Sequence, residues 1–222
     1  MTGDGKMRDV TKTPASRPGR PPDLEIEPKV IAAVLEVYAK VGWGGFTIDA
    51  VARHSRVGKA AIYRRWSSKQ GLIAAAIASL RPPSATPFNG PFRDDLLHVA
   101  ERLSTRYLGK HGLAYLRALV EAKMFPEVLG EALEPFRRDM IAAGRRIVVG
   151  AIERGELPKD TSPALLMDTM AGAMMYHVLM MPNDQIVKLA ADPSEFNEQV
   201  VAFTLAGAGW MPPTSGGQPE VE

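Results

Sequence analysis

Apolar residues in this chain recur at three- and four-residue intervals almost throughout, the spacing of one face of a helix. Val30, Ile31, Val34, Leu35, Tyr38 and Val41 form the first such stripe. Pro28 suits a first helical position and Gly42 suits the stop just past a helix end. Ile48, Val51 and Ala52 then face inward from a second helix, with Thr47 as its expected N-cap. Ser55–Gly58 supplies a turn, and Ile62 and Trp66 face inward from a third helix that Gly58 opens. A fourth is expected over Lys69–Leu80 with Leu72, Ile73, Ala76, Ile77 and Leu80 apolar, headed by a capping box of Ser67 and Gln70. Residues 81–91, RPPSATPFNGP, read as a loop.

Beyond that loop the same period continues. Phe92, Leu96, Val99, Ala100, Leu103 and Tyr107 mark one helix, and Leu113, Leu116, Leu119, Val120 and Met124 another that ends near Pro126. A short piece over Glu127–Leu133 is expected to stop at Pro135. Phe136, Met140, Ile147, Val148, Ala151 and Ile152 then mark a long helix ending at Gly155. Ala164–Met181 and Pro193–Ala208 complete the set. No alternating pattern of strand length occurs, so the expected fold is all-α. Its organisation reads as a polar, disordered basic arm over 1–24, a three-helix head with its linking helix over 25–80, the loop, a helical body over 92–210 and a loose tail over 211–222.

The second and third helices, joined by a short turn, have the form of a helix-turn-helix, whose second member enters the DNA major groove. The residues left outside suit that task. Lys59 and Arg64 can reach phosphates or guanine edges, Tyr63 can bond a phosphate, and small Ala60 lets the backbone approach the groove floor. Arg56 and Arg65 add charge, and the Thr47 hydroxyl with the free N–H groups beside it can hold a phosphate. On charge alone an ordinary basic, solvated hairpin explains the segment equally well. The distribution of charge extends the picture. Residues 1–80 hold 13 Lys and Arg against 7 Asp and Glu, and residues 81–222 hold 14 against 18. A basic front on an acidic remainder fits a polyanion-binding head on a body with another task. Arg17 and Arg20 in the arm can follow an adjacent minor groove.

The order of residues carries more than the charge does. Gly42, Phe46-Thr47, Val51-Ala52, the turn Ser55-Arg56-Val57-Gly58, Ile62-Tyr63-Arg64-Arg65-Trp66, Ser68-Lys69 and Leu72 together resemble the DNA-binding domain of the tetracycline-repressor (TetR) family of bacterial regulators. The likeness spans about Pro28–Leu80. It implies a dimer that reads a palindromic operator on double-stranded DNA, an effector site in the body, and a phosphate contact for Lys69.

In the body, seven of the 11 methionines lie in Met167–Met211. They fit a soft core or dimer face, and equally an adaptable apolar pocket. The pocket reading nominates Tyr107, Tyr115, Met140, Met170, Met174 and His177, for a small-molecule effector. The stretch Ala164–Met181 lacks a polar face and is expected to be buried on several sides. The family resemblance implies that it pairs with the last helix across a two-fold axis. Cysteine is absent, which removes disulfides and thiolate chemistry. No secretory signal or membrane-length apolar run is seen, so cytoplasmic residence is expected. No histidine pair, P-loop or nucleophile-elbow motif points to an enzyme, a metal or a cofactor. The alternatives are an effector-independent architectural DNA-binding protein and, less favoured, a helical enzyme.

Overall fold

The computed structural model describes residues 25–80, 88 and 90–211. Arg17 and Arg20 of the basic arm, most of the loop and nearly all of the tail lie outside these residues. Helix α1 (Ile26–Gly45) starts two residues before Pro28, which therefore sits within the first turn. It buries Val30, Ala33, Val34, Leu35 and Tyr38, whereas Val41 of the expected stripe is exposed. Gly42 breaks it with φ 62 and ψ −170. A Cβ there would also run into the Glu121 carboxylate and the Arg117 guanidinium. Both the left-handed φ and the close approach require glycine.

Thr47 caps α2 (Ile48–Ser55), accepting from the Ala50 N–H at 3.1 Å. Gly58 opens α3 (Lys59–Arg65), and Ile62 anchors it with no exposure. The cap of α4 (Lys69–Ala78) is Ser68, which accepts from the Gly71 N–H at 3.0 Å. The expected Ser67–Gln70 box is therefore displaced by one residue: Ser68 has the extended backbone that a cap needs. Leu72, Ile73, Ala76 and Ile77 of α4 are all buried, because α4 is wedged between α1 on one side and α6 and α7 on the other.

The body follows as α5 (Phe92–Leu108), α6 (Gly112–Met124), a π-helical turn (Pro126–Gly130) and α7 (Glu131–Glu153). Pro135 does not separate a short piece from a long helix, as the sequence pattern suggested. It lies inside α7 as its fifth residue, and the helix continues past it although the Glu131 carbonyl loses its usual backbone donor. Gly155, at φ 76, ends that stretch. Helix α8 (Pro163–Met180) is capped by Ser162. Then come α9 (Asn183–Ala191) and α10 (Ser194–Gly207). The sequence pattern missed α9, which buries none of its residues and so carries no core stripe. Among the described residues no strand forms, and no helix is long and apolar enough to cross a membrane. The apolar core runs continuously from Val30 in α1 to Leu205 in α10.

One buried carboxylate joins α6 to α1. Glu121, 8% exposed, accepts from the Tyr38 hydroxyl at 2.7 Å and the Trp43 N–H at 2.8 Å, and pairs with Arg117 at 3.0 Å. Burial alone would raise its pKa. The bonds from Tyr38, Trp43 and Arg117 outweigh burial and hold it below the ordinary 4.5. Glu121→Ala, which leaves the Tyr38 hydroxyl unpaired, is expected to cost about 2–3 kcal/mol by urea denaturation. Because the folded-state pKa is depressed, the stability this carboxylate contributes is complete above 4.5 and is lost as pH falls below it. Denaturation of Glu121→Gln should accordingly show a shallower loss of stability than wild type across that acidic window.

Candidate functional site

Helix α3 lies on the head with Ile62 inward and Trp66 half-buried against the core. That orientation leaves Lys59, Ala60, Tyr63, Arg64 and Arg65 exposed, with Tyr63 at 53%. Nothing lies within 4 Å of where a Gly58 side chain would start, so the helix N-terminus can be approached closely. Thr47 is exposed, and its Oγ1 already accepts the N–H of Ala50. Its hydroxyl proton is left to donate outward.

Arg56 ends α2 at φ 57 and ψ 30. A left-handed backbone costs a side chain about 1–2 kcal/mol, so glycine would be the cheaper residue at this turn. The guanidinium that takes its place is exposed beside the N-terminus of α3. Two lysines are already occupied. Lys59 forms an ion pair with Asp49 of α2. Lys69 points back toward the end of α1: its ammonium donates to the Trp43 carbonyl at 2.7 Å and sits 3.7 Å from the centroid of the Trp43 ring. Burial lowers the Lys69 pKa, with Glu121 opposing. The structure thus gives Lys69 an internal role that the sequence did not suggest.

A cleft of about 830 Å³ opens between α5, α7 and α8. Of the nominated effector residues, Met140 lines it and the others do not. Tyr107 and Tyr115 pack on each other at 6.0 Å between ring centroids, and burial pushes the Tyr107 hydroxyl up to about 12. Met170 and Met174 are core residues at 0% and 1% exposure. His177 is exposed and stacks on Phe196 at 4.5 Å. Helix α8 is rotated so that Met167 and Ala171 face the cleft in their place. Methionine content drew attention to α8, but did not tell which of its faces borders open space.

Head and body together define a helical helix-turn-helix regulator. Residues 30–76 match the family model described as bacterial regulatory proteins, tetR family, and residues 86–192 match the tetracyclin repressor-like C-terminal domain. An uncharacterized HTH-type transcriptional regulator of Mycobacterium tuberculosis is 33% identical over 174 residues, covering 76% of this chain and 84% of that one. The DNA-binding transcriptional repressor TetR of Mycobacteroides abscessus is 29% identical over 157 residues, covering 68% and 80%. Among solved structures, Salmonella enterica GusR superposes with a TM-score of 0.63 at 15% identity, over 85% of this chain and 97% of that one. FadR of Bacillus subtilis, in complex with stearoyl-CoA, gives 0.59 at 18%, over 81% and 97%. These two share the fold. The chain belongs to the tetR family of bacterial transcriptional regulators.

The cap at the entry to the helix-turn-helix is open to a direct test. Thr47→Ala should lower stability by about 1 kcal/mol in chemical denaturation. Thr47→Ser, which keeps the acceptor oxygen, should leave it close to wild type.

Proposed function

We propose that the protein is a homodimeric repressor, acting in the cytoplasm, that binds a palindromic operator and releases it when a small molecule enters the body cleft. The exposed face of α3 carries this reading. Among the described residues Tyr63 and Arg64 have no hydrogen-bond or ion-pair partner, while Ile62 behind them is fully buried. Such a helix presents base-reading and phosphate-binding groups from a rigid support. Arg56, Arg65, Lys59, Ala60 and Thr47 are exposed in the same helix-turn-helix, and a minor-groove contact is proposed for Arg17 and Arg20. For Lys69 the proposed role is to hold the α1–α2 corner that supports the reading helix.

One helix-turn-helix reads too few bases for a specific address, so a second copy is required. Helices α8 and α10 supply the surface for it. Leu165 is 68% exposed, Tyr176 65%, Met180 65% and Phe203 86%. An exposed apolar face of this kind is costly in water and marks an interface. Pairing the two helices with their copies forms a four-helix interface.

The cleft favours an effector-responsive regulator over an architectural protein, because several hundred Å³ is the size of a ligand site. Its walls include α7, against which α4 packs. A ligand that prefers a displaced α7 would move α4 and change the separation of the two α3 helices. Coupling of this kind is typically about 1–3 kcal/mol.

In-vitro selection from random duplexes should yield a palindrome with half-sites roughly 34–36 Å apart. Arg64→Ala should weaken binding to the selected duplex by about 1–3 kcal/mol in gel-shift titration while sedimentation still reports a dimer. Phe203→Glu should do the opposite first, yielding monomers in sedimentation with operator affinity lost as a consequence. Wild-type affinity in Arg64→Ala, or a monomeric wild-type protein, is incompatible with this function.

A further inference from the structure

The cleft between α5, α7 and α8 holds more positive charge than an apolar effector would call for. Arg102, Arg106, Arg145 and Arg146 line it, opposed by Asp139 and Asp168. Among the described residues none of these arginines forms an ion pair, whereas Asp139 is itself engaged. Arg102 and Arg106 stand one turn apart on α5 and are held by aromatic faces instead of carboxylates. The Arg102 guanidinium lies 4.7 Å from the centroid of Phe88. That of Arg106 lies 5.2 Å from Tyr115 and 5.9 Å from Phe136. Stacking on a ring steadies a guanidinium but leaves its donor edge unfilled.

Arg106 shows that deficit directly. Its Nη1 donates to the Met140 sulfur at 3.3 Å, a weak acceptor. Its Nε is buried and meets no acceptor among the described residues. A buried cationic donor without a partner is unfavourable. A carboxylate answers it, since guanidinium and carboxylate meet through two parallel hydrogen bonds. Beside Arg106 the cleft is apolar, with Leu103, Met140, Ile147, Met167 and Ala171.

We infer that this cleft binds an organic anion, its acidic group received by Arg106 with Arg102 in support and its apolar body laid on the α7 and α8 walls. The inference rests on the reading of the cleft as the effector site and adds the chemical class of its occupant. A neutral molecule of the same shape would bury against the same walls but leave the Arg106 Nε unanswered.

Two fluorescent probes separate these cases on the full chain: anilinonaphthalene sulfonate, an anion, and phenylnaphthylamine, the same ring system without the charge. Wild type is expected to bind the anion roughly tenfold more tightly than the neutral probe, the ratio for a hydrogen bond to a charged group. Arg106→Met, which keeps the length of the side chain, should remove that preference while the neutral probe binds as before. Arg102→Met should reduce it in part. Ala171→Trp, which fills the cleft, should expel both. Equal affinities in wild type, or a preference that survives both arginine variants, would overturn the anion assignment. If Ala171→Trp expels both probes yet no preference exists, the anion assignment alone fails. If it leaves both bound, the effector cleft itself fails as well.

Discussion

The Glu121 carboxylate is the contact on which the arrangement of head and body depends. An ionised carboxyl at 8% exposure is tolerable only with its lone pairs filled. Here the donors come from two distant parts of the chain. Tyr38 and the Trp43 N–H belong to the end of α1, while Arg117 lies one turn back on α6. Arg117 then reaches across to the Ala39 carbonyl at 3.1 Å, one of the groups that the break at Gly42 leaves without a helical partner. Apolar contacts between α1 and α6 could slide at small cost. Directional bonds to a buried charge fix one orientation.

Trp43 extends this joint into the reading head. Its N–H is held by Glu121 and its carbonyl by Lys69 at the start of α4. The corner between α1 and α2 is therefore tied to both α6 and α4. A second link, exposed and weaker, runs parallel to it. Glu36 of α1 bonds Lys110 at 2.7 Å and His54 of α2 at 2.6 Å. The bonds to Lys110 and then to His54 lower its pKa to about 2. The α6 side of the body thus meets the head through polar contacts, and α7 meets it through the packing of α4.

Much of the helical order was legible because a buried helix face leaves an apolar period, and because Thr47, Gly58 and Gly42 have local signatures that survive packing. In α6 the period marked the helix but not its buried face, since Leu113, Val120 and Met124 are exposed while Ala114, Tyr115 and Ala118 are buried. Helix α9 was not legible, since a helix without buried residues has no stripe to detect. The outward face of α3 followed from placing Ile62 and Trp66 inward. The cleft did not follow. A periodic pattern separates core from solvent, but an apolar residue on a cavity wall resembles one in the core, so Met170 and Met167 look alike in sequence. The Glu121 joint left one trace, the one acid of α6, set among the apolar Leu119, Val120 and Ala122. Its partners are 83 and 78 residues away, and no local rule connects them.

The two occupied lysines of the head differ in what a phosphate can offer them. Lys59 and Asp49 are both about half exposed, and such a surface pair is worth little, about 0–1 kcal/mol. A competing anion can displace Asp49 at small cost. Lys69 is enclosed by the Trp43 carbonyl and ring. Removing it would leave a carbonyl at the α1–α2 corner without its donor and loosen the support of α3. The physical balance therefore separates a cation that can be exchanged, at the N-terminus of the reading helix, from one that holds the corner behind it. The exchangeable surface pair and the enclosed corner contact thus fall to different lysines, ten residues apart in the chain.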